Sequence, residues 1–152
     1  MKTAIHKTWI TTGIVAVLLL GVATAPVIAH HSFAMYDTAT EARKTMTGKL
    51  VRFVIGANHS QFIMEIVKPD GSPLIDESTG KPVSWTVETT SAAQLVRQNI
   101  TVETFKIGTI FTITFFPLRD GRNGGAQQGA SLIMCGMKMP AGGCNEQTGK
   151  KY

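Results

Sequence analysis

Ser91-Ala92-Ala93-Gln94-Leu95-Val96-Arg97-Gln98 is the stretch where the pattern of this chain switches from strand to helix. Ser91 is a natural N-cap, and Gln94 three residues on completes a capping box, in which each side chain satisfies a free backbone N–H of the first turn. Leu95 and Val96 supply a narrow apolar face, enough to seat a short helix on a core. Thr101 to Lys106 reads as one further turn, stopped by Gly108.

On either side the period is two. Val83, Trp85 and Val87 alternate with Ser84, Thr86 and Glu88, a strand with one buried face. Before it, His59 to Val67 sets Phe62, Met64 and Ile66 against His59, Gln61 and Glu65. Thr45 to Ile55 is β-branched and apolar and reads as the first strand, with Gly48 marking a bulge or sharp bend. Gly56-Ala57-Asn58 is a turn, and Lys68 to Lys81 is a loop punctuated by Asp70-Gly71 and Thr79-Gly80. After the helix, Thr109 to Phe116 reads as a fourth strand, with Phe111, Ile113 and Phe115 on one face. Pro117 to Gly129, with four glycines, reads as a mobile loop, and Ala130 to Met139 as a fifth strand apolar on both faces.

Three strands, a helix and two strands is the order of a small Greek-key barrel. The expected class is mostly β: a five-stranded OB-like barrel with one short helix between strands 3 and 4. Ligands of that fold lie on the second and third strands, flanked by the loops joining strands 1 to 2 and 4 to 5. Here those loops are Gly56–Asn58 and Pro117–Gly129.

The first 29 residues read as a signal peptide. Lys2 and Lys7 give a positive start, Ile14 to Val22 an apolar run, and Val27 and Ala29 the small residues before a cut after Ala29. The alternative is an uncleaved anchor, since Ile10 to Ala29 is 20 residues, the length of a bilayer span, though Thr11, Thr12, Gly13, Thr24 and Pro26 dilute it. The domain reading is a signal peptide over 1–29, an N-terminal arm over 30–44, the barrel over 45–140 and a C-terminal tail over 141–152. Removal of Lys2 and Lys7 leaves 13 basic residues against 10 acidic ones. That mild surplus is no nucleic-acid footprint. The expected address is periplasmic or secreted, with membrane contact only through the uncleaved leader. Cys135 and Cys144 are expected to pair in an oxidising compartment, pinning the C-terminal tail. A free Cys135 ligating a metal is the minor alternative.

The chain resembles exported bacterial proteins of the domain of unknown function family 6152. The matching pieces are His30-His31-Ser32-Phe33 with Asp37, Thr47-Gly48, His59-Ser60, Trp85-Thr86-Val87-Glu88 and Pro117-Leu118-Arg119-Asp120-Gly121. Where that family has Asn-Pro before the histidine and an aromatic residue two positions after it, this chain has Ala57, Asn58 and Gln61. The Cys135/Cys144 pair stands outside the pattern. The resemblance implies an exported compact β-domain and brings no activity with it.

The chemistry-bearing residues are few. His30, His31 and His59 are the histidines left once the leader is cut. A terminal His30 offers an α-amine beside its imidazole, a chelating pair that, with His31 and His59, suits copper by simple affinity order. The plainer reading is two solvated terminal histidines and a turn histidine bonded to backbone. Cys135, Met137 and Met139 share a face at strand spacing, beside Met134; soft sulfur ligands suit Cu(I), but methionine fills core gaps as readily. Trp85, Glu88, Arg119 and Asp120 are the candidates for ligand binding: Arg119 for an anion, Asp120 as its neighbour in the loop, and Trp85 as platform or, by its alternation, as core. Glu65 and Glu88 read as solvent-facing. Gly-x-Ser-x-Gly, His-Glu-x-x-His and Walker patterns do not occur. The expected function is a non-catalytic exported binding module for a small ligand, metal ion or envelope partner. The alternative is a copper-binding protein, or a copper oxidoreductase that uses the mature N-terminal histidine.

Overall fold

The computed structural model describes residues 33–152. Five strands close on themselves: β1 (Lys44–Val54), β2 (Gln61–Ile66), β5 (Ser84–Glu88), β6 (Ile110–Pro117) and β7 (Gly124–Gly136). β1 pairs antiparallel with β2 and β6, β2 with β5, and β6 with β7. A parallel pairing of β5 with β7, Thr86 opposite Gly124 and Glu88 opposite Ala126, shuts the ring. Two short strands, β3 (Ile75–Asp76) and β4 (Lys81–Pro82), form a hairpin in the β2–β5 connection, and β8 (Lys150–Lys151) adds to β7. Among the described residues the single α-helix, α1 (Ala92–Arg97), lies between β5 and β6, as the period change required. Ser91 Oγ caps it by accepting from the Gln94 N–H.

The barrel fills from alternate positions of each strand. Leu50, Phe62, Met64, Val87, Phe111, Ile113 and Leu132 are fully buried, with Trp85 close behind. Phe105 and Leu95, from the segments after β5, join the same core. Phe105 meets Phe62 and Phe111 edge-on at centroid distances of 4.9 and 5.0 Å, the geometry that opposed ring quadrupoles prefer. Thr101 to Lys106 makes the one further turn expected, closed by the Phe105 N–H donating to the Thr101 carbonyl and tied by Thr104 Oγ1 donating to the Asn99 carbonyl.

Two glycine readings change. Gly48 is not the bulge; the register of β1 against β2 shifts between Leu50 and Arg52. Gly48 is needed because a Cβ there would lie 2.9 Å from the Glu65 carbonyl oxygen. The expected Pro117–Gly129 loop shrinks to Leu118–Asn123, because β7 begins at Gly124. A Cβ on Gly125 would fall 2.3 Å from Phe115 Cδ2 and 2.5 Å from the Phe116 carbonyl oxygen. These glycines let the closing strand come close; they are not loop residues.

The segments flanking the barrel are docked on it. Phe33–Met35 and Thr40–Ala42 are 3₁₀ turns, and Tyr36 between them is buried and bridges to Leu118. At the other end Cys135 and Cys144 form a disulfide, with Cα atoms 5.7 Å apart, which removes the free-thiol ligand reading. The loop it closes packs over β6, where Thr112 Oγ1 donates to the Cys144 carbonyl. β7 ends at Gly136, so Cys135, Met137 and Met139 do not continue one strand face: Met137 is exposed and Met139 packs beside Val67 and Cys144. Among the described residues no helix is long and apolar enough to cross a membrane.

Candidate functional site

Glu88 ends β5, on the outward side of the alternation that buries Trp85 and Val87. Its neighbour across the ladder is Gln61, at the start of β2. The loop between β1 and β2 is pinned beneath it. Ser60 is fully buried, donates its N–H to the Thr90 carbonyl and accepts from the Thr89 N–H, while its hydroxyl accepts from the Gly56 N–H. The turn is so tight that a Cβ on Gly56 would sit 1.9 Å from the His59 carbonyl oxygen. This anchoring sets His59 Nδ1 3.2 Å from Glu88 Oε1.

Tyr36 reaches Glu88 from the other side. Its hydroxyl donates to Oε2 at 3.2 Å, while its ring is buried with Phe116 and Ala126. Burial pushes the Tyr36 phenol up to about 12, and the Glu88 charge and the hydrogen bond to it add to that rise. The backbone of this segment is fixed by the Asp37 N–H donating to the Pro117 carbonyl and the Arg119 N–H donating to Met35. Arg119 and Asp37 face each other at 3.8 Å, both substantially exposed. One side of the barrel thus carries a continuous polar row: His59, Glu88, Tyr36, Asp37, Arg119.

A carboxylate held at Nδ1 favours the imidazole tautomer with its proton on that nitrogen, which leaves the Nε2 lone pair free on a half-exposed ring. An imidazole set this way can accept a proton or ligate a metal. Glu88, half-buried and contacted on both oxygens, acts as its positioning group.

The sequence candidates divide. His59 and Glu88 come together, while Arg119 pairs instead with Asp37. Glu88 is not simply solvent-facing, since both its oxygens have partners. Trp85 lies inside the barrel against Phe115, at 5.4 Å between rings, so it is core before platform. Asp120 turns away to Arg122, accepting from its N–H at 3.1 Å and its Nε at 2.7 Å. Those contacts hold its carboxyl below the usual range. His30 and His31 lie outside the described residues. Among the described residues no three histidine, cysteine or acidic side chains cluster as metal ligands. Tyr36 is the residue that sequence reasoning missed, because its segment has no period; its place between the matched Phe33 and Asp37 was the available signal.

A family model described as a family of unknown function (DUF6152) matches residues 17–127. The match spans Tyr36, His59, Glu88 and Arg119 and stops before Cys135. No curated protein and no solved structure matches the chain. On that match, which covers well over half its length, the chain belongs to the family of unknown function DUF6152.

Proposed function

We propose that this protein is an exported, non-catalytic binding module whose ligand site is the outer face of β2 and β5 around Glu88, His59 and Tyr36. The observation that carries the reading is the convergence of a phenol and an imidazole on one carboxylate. That arrangement fixes His59 on a face where barrels of this order hold ligands. Export follows from the leader and fits the disulfide.

A metal ion is the ligand class this geometry favours, because metal-ligating histidines usually turn their other ring nitrogen to a carboxylate or carbonyl. If the leader is cut after Ala29, His30 begins the chain and carries a free α-amine beside its imidazole. The α-amine and imidazole of His30, His31 and His59 Nε2 then make a nitrogen set that suits copper.

The test is to determine the N-terminus of the exported protein and titrate it calorimetrically with Cu(II) and with Zn(II). Copper is expected to bind one per chain, with His30→Ala and His59→Ala each weakening it and Glu88→Gln raising Kd roughly 10–100-fold. A retained leader, or equal binding by wild type and both histidine variants, overturns the metal reading. If copper binds tightly, turnover of ascorbate or peroxide makes the protein an oxidoreductase, and its absence makes it a carrier. Arg119, half-exposed and only loosely paired, favours an anionic small ligand as the second reading. That reading is tested by competition of small carboxylates against Arg119→Ala in metal-free buffer.

A further inference from the structure

A cavity of about 650 Å³ is built from other residues than those around Glu88. It lies between the start of β1, the excursion carrying the β3–β4 hairpin, and the loop closed by Cys135–Cys144. Its apolar lining includes Met46, Ile66, Leu74, Val83, Trp85 and Met139. The size falls in the range of roughly 300–1,000 Å³ typical of small-molecule sites. Met46 and Met139 among them are methionines, which adapt their shape to different ligands.

The charge on the lining is one-sided. Lys68 is its only ionisable side chain that carries charge, no carboxylate lines it, and among the described residues Lys68 has no ion pair. A second cation lies near: Lys44 Nζ sits 5.1 Å from the centre of the Trp85 ring. The neutral polar groups of the wall are already engaged. Thr47 and Thr45 share hydrogen bonds with Thr112 and Thr114, and the Asn145 amide donates to the Gly142 carbonyl while accepting from the Gln147 N–H. The free donor is therefore the Lys68 ammonium at the exposed rim.

We propose that this groove binds an amphipathic anion, an acyl or aryl chain bearing one carboxylate, with its apolar body against Trp85, Met46 and Met139 and its head group on Lys68. The disulfide loop forms one wall, and that wall lies beyond the residues matching the family model. The site is independent of the polar row at Glu88.

Trp85 reports on it directly, because Trp9 is the only other tryptophan of the chain. The full-length Trp9→Phe protein, oxidised and metal-free, is titrated with decanoate and with decyltrimethylammonium while Trp85 emission is followed. Decanoate is expected to change the emission saturably, and the cationic analogue to bind roughly tenfold or more weakly. Lys68→Gln, an exposed change that leaves the fold intact by circular dichroism, is expected to raise the decanoate Kd roughly tenfold, and His59→Ala to leave it unchanged. The proposal is overturned by the lack of a saturable response below the aggregation limit of decanoate, by equal affinity for the two head groups, or by an unaltered Kd in Lys68→Gln.

Discussion

Tyr36 shows how one buried hydroxyl can organise a site. Its phenol has little contact with water and its hydrogen-bond acceptor is a carboxylate, so ionising it would place two negative charges side by side. The folded-state pKa of about 12 lies above the ordinary 10.0. The sign follows: the stabilisation is full below pH 10 and is lost as pH rises through about 12. Spectrophotometric titration should therefore show one tyrosine ionising late. Glu88→Gln should lower that value without returning it fully to normal, because burial is the larger cause. Tyr36→Phe removes a hydrogen bond to a charged acceptor and should cost about 1–2 kcal/mol in urea unfolding. It should also release Glu88, and the His59 ring signals in NMR should then shift; unchanged His59 signals would show that Tyr36 does not position it.

At the scale of elements, the closing strand depends on absent side chains. Gly125 passes so near Phe115 and the Phe116 carbonyl that Ala there must push a ring and a backbone apart. Gly125→Ala should destabilise by about 3 kcal/mol, the upper part of the range for overpacking. Gly124→Ala meets the end of the Leu118 side chain at 2.7 Å, which can swing aside, and should cost only about 1 kcal/mol. The two urea midpoints should fall in that order. The same glycines explain why Pro117–Gly129 reads as a loop. Glycine marks turns and close approaches alike, and only the partner strand distinguishes them. By contrast α1 was legible, because its cap and its apolar face are both local.

For the whole molecule, the disulfide ties the end of β7 to a loop that also hydrogen-bonds to β6 and leads into β8. Closing a loop of this length is worth about 2–3 kcal/mol in the chain-entropy model. A Cys135→Ser/Cys144→Ser double variant should lose about that much stability and keep its far-ultraviolet circular dichroism, since the barrel ladders close without it. Loss of the β signal would instead make the bridge a condition of folding. By itself the sequence determined the strand order, the helix between the third and fourth barrel strands, the cysteine pair, and the positions of His59 and Glu88 at the start of the second barrel strand and the end of the third. Each rests on near-neighbour periodicity, local caps or a short spacing, which a linear chain displays. Only the tertiary structure decided that Tyr36 folds back onto Glu88 across 52 residues and that Asp120 pairs with Arg122. It also decided that a cavity opens between the first strand and the disulfide loop. Those outcomes depend on which outward side chains barrel closure makes neighbours, and closure is a property of the ring as a whole.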